Sequence, residues 1–140
     1  MQKAITFTEK ALSGYAEWFW LMAKNWKDVE NRSWALWRYF KPMELPVRVY
    51  LHASKTPTPP DEMEFIRQRL DEFQLQEFNR FDFNSIRGTI FARITITGNV
   101  TALSSPWFFG SNGFLVSDGS FIEKPIPYRG SLGFFSVKVN

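Results

Sequence analysis

The run Asn25-Trp26-Lys27-Asp28-Val29-Glu30-Asn31-Arg32-Ser33-Trp34 holds a lysine, an arginine, a carboxylate at Glu30 and two tryptophans within ten positions. Lys27 and Arg32 suit a phosphate or a sugar hydroxyl, and Glu30 suits a base edge that donates hydrogen bonds. An indole ring such as Trp34 offers a stacking face, worth about 1–3 kcal/mol per base. The same residues allow acid–base chemistry. A lysine desolvated beside Arg32 would have a lowered pKa and act as a base, with Glu30 relaying the proton. A ribonuclease would use such a pair to activate a 2′-hydroxyl and protonate the leaving oxygen. The competing reading of Lys27, Glu30 and Arg32 is an internal salt-bridge network that ties one strand to the rest of the fold.

Positioning these side chains requires a helix–strand junction. Tyr15, Trp18, Phe19 and Met22 recur at i, i+3, i+4 and i+7, which predicts a helix starting near Ser13 with one apolar face. Asn25 suits the helix stop, because asparagine tolerates the left-handed conformation there. A strand is expected over residues 28–32. Its alternation sets Glu30 and Arg32 on one face, with Trp34 if the strand continues. Lys27 has the opposite parity but lies at the junction, where the backbone is not yet extended, and can turn toward Glu30. Asp28, Val29 and Asn31 read as supporting strand.

Other strands are expected at residues 5–7, 47–52, 88–100, 114–117 and 132–139, with a turn at Asp118-Gly119 and loops at 105–112 and 125–130. An acidic helix is expected from Thr58, whose hydroxyl would cap it, continuing through Met63, Ile66, Leu70 and Phe73 as a solvated cover. This order predicts one α+β domain spanning 1–140, a mixed, curved or closed sheet with flanking helices. His52 ends one strand and is read either as lining a cleft or as a structural hydrogen-bonding residue. Ser54 and Lys55 follow it and suit a phosphate or an ordinary strand end. Trp107 is either a lid or a core anchor, and Arg129, in a tight turn, reads as structural, with a phosphate contact as the alternative. Trp18, Phe19, Phe134 and Phe135 read as core.

Composition bounds the chemistry. The 140 residues contain no Cys and one His, which excludes a disulfide scaffold, a cysteine-based zinc or redox site and a histidine-rich metal cage. No cofactor or metal is expected. The apolar stretch 18–23 is far short of the roughly 18 residues that span a bilayer, so the expectation is a cytoplasmic protein without a membrane partner. The net charge of +3 is uneven: residues 61–83 hold three Lys/Arg and seven Asp/Glu, and the remainder is basic. A basic body predicts a polyanionic partner such as RNA.

Several pieces of the chain resemble the ASCH domain family of the PUA-like β-barrel superfamily. Lys27, Glu30 and Arg32 match its GxKxxExR signature, with Asn25 where glycine is usual. Leu51-His52-Ala53-Ser54 resembles the family's strand ending. Ser105-Pro106-Trp107 with Gly110 and Gly113 resembles its central loop, and Pro125 to Gly130 followed by Leu132-Gly133-Phe134-Phe135 resembles its closing segment. The resemblance implies a small PUA-like barrel that binds RNA or a nucleotide- or nucleoside-sized ligand in a basic cleft around Lys27, Glu30 and Arg32. It also implies, as alternatives, a ribonuclease or a modified-nucleoside hydrolase using Lys27 and Glu30, or a protein-interaction module without catalysis. The family's deacetylase-type members carry threonine at the position of Glu30, and a carboxylate does not replace that hydroxyl.

Overall fold

A computed structural model describes residues 7–139. Its elements are β1 (Phe7–Gly14), α1 (Ala16–Ala23), β2 (Val29–Arg32), β3 (Val47–Ala53), α2 (Pro60–Arg67), α3 (Glu72–Arg80), β4 (Thr89–Val100), β5 (Asn112–Pro127) and β6 (Phe134–Val139), with short 3-10 turns at Leu36–Arg38, Pro42–Glu44 and Phe83–Ser85. The strands form one open, mixed, six-stranded sheet in the order β2-β5-β4-β3-β1-β6. Only β1 and β3 pair in parallel, with Ser13 opposite His52; the other ladders are antiparallel. The fold is therefore α+β, as expected. Of the strand expected at 5–7, residues 5 and 6 lie outside the described residues, and Phe7 opens β1.

The parallel β1–β3 pair needs a crossover, and the chain uses it to place α1 against β3, β4 and β5. The helix begins at Ala16 rather than near Ser13, which stays in β1. It is not amphipathic: all eight residues are buried, Glu17 included. The reason is a second layer. Trp20 packs against Phe78, Phe81 and Phe83 at ring-centroid distances of 6.0, 5.3 and 5.5 Å, and Trp18 packs against Phe65 at 5.7 Å. With the sheet on one side and α2, α3 and the following turn on the other, α1 has no solvent face. Glu17 is tolerated because Arg87 donates to both its oxygens (3.0 and 2.7 Å) and the Thr58 hydroxyl donates to Oε1 at 2.8 Å. Burial raises the Glu17 pKa, but these hydrogen bonds and the Arg87 charge outweigh it and hold the group below the usual range.

Three local expectations are corrected. The acidic helix is two helices: Asp71 starts α3 by accepting from Gln74 N at 2.8 Å, while Gln74 Oε1 accepts from Asp71 N at 3.1 Å, a capping box that ends the first run. Thr58 does not cap α2, since its hydroxyl serves Glu17 and the helix starts on Pro59 and Pro60. The chain does not reverse at Asp118-Gly119, nor loop at Pro125, because β5 runs through both. Asp118 takes a positive φ of 52° within the strand, and Arg48 holds its carbonyl at 2.7 Å. The prolines fall in the half of β5 beyond its β2 partner, where the outer edge needs no ladder donor.

The sheet curls until its two edges meet through side chains. Phe114, opposite Glu30 in the β2–β5 ladder, stacks on Phe134 of β6 at 6.0 Å, and Trp34 packs on both at 5.4 and 6.1 Å. Arg32 Nη2 adds a hydrogen bond to the Ser13 carbonyl of β1 at 2.8 Å.

Candidate functional site

The turn from α1 into β2 is set by Asn25, which has the left-handed φ of 63° expected for a helix stop. Its side chain accepts from Gly119 N at 2.7 Å and donates to Gly119 O at 3.0 Å, fastening the turn to β5. A Cβ at residue 119 would overlap the Met22 carbonyl oxygen, so glycine is required for this approach. The junction then delivers Lys27 and β2 to the curled sheet edge.

Lys27, Glu30 and Arg32 do converge. Lys27 Nζ lies 3.3 Å from Glu30 Oε1 and also donates to Val29 O. Arg32 donates to Glu30 Oε2 from Nε at 2.9 Å and lies 2.7 Å from it at Nη2. The three differ in depth: the Lys27 side chain is 1 % exposed, Glu30 9 % and Arg32 18 %. Lys27 sits beneath the Trp18 ring, 5.2 Å from its centroid. Burial pulls its ammonium below the ordinary lysine range, opposed by the Glu30 charge and hydrogen bond and reinforced by Arg32. Lys27 therefore supports Glu30 from behind and does not reach the cleft surface.

Glu30 and Arg32 open onto a cleft of about 470 Å³. Tyr15, Trp18 and Phe109 form its aromatic wall, with Trp18 and Phe109 6.1 Å apart, and Ser13, Ser54 and Thr56 supply hydroxyls. Glu62 reaches across to accept from Trp18 Nε1 at 2.9 Å. The cleft lining thus carries two carboxylates, Glu30 and Glu62, against one guanidinium, and the basic character expected around Lys27, Glu30 and Arg32 is absent from it. Among the described residues, no three His, Cys, Asp or Glu side chains are grouped as a metal ion needs. No helix among them is long and apolar enough to cross a membrane.

The other expected site residues divide. Ser54 lines the cleft. Trp34 lies beyond the end of β2, wedged among Tyr39, Phe114 and Phe134, and its ring faces are approached by Arg32 and Arg38 at 5.7 and 5.8 Å. Its ring packs, tilted or edge-on, on other rings of the protein. Trp107 is a core anchor and not a lid: it is 5 % exposed and edge-on to Trp18 at 6.3 Å. His52 is buried between β1 and the 128–130 loop, with Nε2 2.7 Å from Tyr128 O and Nδ1 3.1 Å from Ser13 Oγ. A carbonyl only accepts, so Nε2 carries the proton and Nδ1 accepts from the serine. Desolvation lowers the His52 pKa, against the Tyr128 hydrogen bond. Lys55 lies in an adjoining hollow with Arg129.

Sequence reasoning missed Tyr15, Glu62 and Phe109, and treated Trp18 as core alone. Trp18 is buried yet still presents an edge to the cleft. Asn31, read as mere supporting strand, positions the wall: it donates to Trp107 O and accepts from Phe109 N, both at 2.9 Å. An amide side chain between two charged residues on a strand was the available signal. Compared with models of known protein families and with curated proteins, the sequence has no match.

Proposed function

We propose that this is an ASCH-type protein with a PUA-like sheet, and that its cleft binds a nucleoside-sized portion of RNA or of a free nucleotide. The carrying observation is the Glu30 carboxylate, held between Lys27 and Arg32 at the mouth of a cleft of about 470 Å³ walled by Tyr15, Trp18 and Phe109. A carboxylate has about four lone-pair directions, and its two protein cations leave room for donors on a base edge. Arg32 donates beside it, so the pair presents an acceptor and a donor together, while the rings supply a stacking face for the flat base. The volume fits the range of small-ligand clefts.

Binding, and not turnover, is the favoured role. The lysine that would act as a base is sealed behind Trp18 and commits its protons to Glu30 and Val29 O. The test is titration of the four ribonucleosides and short RNAs, followed by tryptophan fluorescence and calorimetry. Saturable binding is expected, weakened roughly ten-fold by Phe109→Ala, which removes a half-exposed wall ring, with thermal melting to check that the variant folds. Failure of every nucleoside and RNA to bind at millimolar concentration would discard the reading. Mass spectrometry of the same mixtures should return every RNA and nucleoside unchanged.

A further inference from the structure

The cleft continues past Ser54 into a second hollow of about 940 Å³, and Ser13, Ser54 and Leu132 line both. The two lobes differ in sign. The first carries Glu30 and Glu62 against Arg32. The lining of the second includes Lys55, Arg87 and Arg129 and holds no carboxylate side chain. Arg87 is neutralised by its two hydrogen bonds to Glu17, and His52 is fixed by Ser13 and the Tyr128 carbonyl. Lys55 and Arg129 remain, both exposed, and among the described residues neither forms an ion pair.

The backbone places these two cations around one floor. Gly88, with φ of 76°, donates to Ala53 O at 2.6 Å and accepts from Tyr128 N at 3.1 Å. The Lys55 stem lies over the bare Gly88 backbone: a Cβ there would come within 2.9 Å of Lys55 Cε. The Tyr128 hydrogen bond docks the following residues against the same glycine, and Arg129 is the next in line. Gly130 then presses directly on the His52 ring, where a Cβ would overlap it, so the loop carrying Arg129 is seated on a buried side chain. The floor is thus built from hydrogen-bonded backbone, with Lys55 over Gly88 and Arg129 following the residue that bonds to it.

We propose that this lobe is the phosphate subsite of the ligand whose base and sugar occupy the Glu30 cleft, so that the ligand is a phosphorylated nucleotide or a phosphodiester-linked strand. The proposal rests on the reading of the cleft given above. The division of charge orients the ligand: a phosphate in the first lobe would face two carboxylates, and in the second it meets two uncommitted cations. Ser13 and Ser54 stand at the junction, where a sugar would bridge the lobes.

The experiment is a calorimetric titration of ribonucleosides, their 3′- and 5′-monophosphates, dinucleotides and inorganic pyrophosphate, against the wild type and the Lys55→Ala/Arg129→Ala variant. Both residues are exposed, and thermal melting checks that the variant folds. A phosphorylated ligand is expected to bind roughly ten-fold more tightly than its nucleoside. The double variant should erase that gain, leave nucleoside affinity unchanged and flatten the salt dependence. A gain confined to monophosphates assigns a free nucleotide, and a further gain with dinucleotides assigns an RNA strand. Nucleosides that bind with no gain from phosphate, or a gain that survives the double variant, overturn the proposal and leave the cleft reading intact. If neither nucleosides nor nucleotides bind while pyrophosphate binding depends on Lys55 and Arg129, the cleft reading falls and the anion lobe stands. No binding of any of these overturns both.

Discussion

Glu30 is the residue whose removal should be felt most widely. Among the described residues it is the only carboxylate that pairs with both the buried Lys27 and the Arg32 guanidinium. Glu30→Ala would leave an ammonium sealed under Trp18 without its ion-pair partner and with only the weaker influence of Asp28, an arrangement of the kind that typically costs 3–5 kcal/mol. Lys27→Met should cost less, because Arg32 still holds Glu30 and the thioether fills the same apolar slot. Urea unfolding of the two variants checks the order, and a larger loss from Lys27→Met would contradict it. His52 gives a pH signature. Its folded pKa lies below the ordinary imidazole value of 6.5, so the unfolded chain binds more protons as pH falls beneath that value. The contribution is fully present above about pH 6.5 and is lost as pH drops through the folded pKa. Stability measured between pH 7 and 5 should therefore fall, and His52→Gln should flatten that slope. The trio itself was legible in the sequence, because charged residues at positions 27, 30 and 32 can meet across a helix–strand junction. Their order of depth was not, since it depends on what covers α1 from the far side.

At the scale of elements, the covering layer decides most of what sequence periodicity misread. The apolar spacing of Tyr15, Trp18, Phe19 and Met22 describes a helix with one buried stripe, but Trp20 and Leu21 are equally buried, and only the aromatic residues of α2, α3 and the next turn explain why. The break between α2 and α3 was readable, because Asp71 and Gln74 stand at capping-box spacing and were passed over in favour of a continuous run through Phe73. Phe73 is in fact 71 % exposed. Asp71→Ala should cost about 1 kcal/mol by freeing the first-turn donor of α3. Chemical denaturation reads this directly, with Asp71→Asn expected to recover most of it. The continuity of β5 could not be read locally, as Asp118-Gly119 has turn chemistry and the contacts that keep it in a strand come from Asn25 and Arg48, far along the chain.

For the molecule as a whole, the decisive feature is the approach of the sheet's two edge strands. Phe114, Phe134 and Trp34 pack across the gap, and Arg32 crosses to the Ser13 carbonyl beside them. The α+β class and most strands were legible from alternation. The meeting of the edges was not, because Trp34 and Phe114 join Phe134 from separate parts of the chain that share no pattern. Phe134→Ala should destabilise the fold by about 3–5 kcal/mol. Hydrogen exchange would then be expected to show the earliest loss of protection in β2, a strand of four residues with a partner on one side only. If β4, at the centre of the sheet, lost protection first, the closure would lie elsewhere.

A junction closed by rings behaves differently on cooling from one closed by a hydrogen-bond ladder. Burial of apolar surface draws its strength from water, and that driving force fades toward low temperature. Separation of the Phe114–Phe134 junction therefore carries a positive heat-capacity change and has a temperature of greatest resistance, with easier opening on either side of it. Because Arg32 sits on this junction and also lines the cleft, the width of the cleft mouth is tied to the same dome-shaped curve. The width of that mouth is thermally tuned by three aromatic side chains, of which Phe114 and Phe134 meet the solvent only when the junction parts.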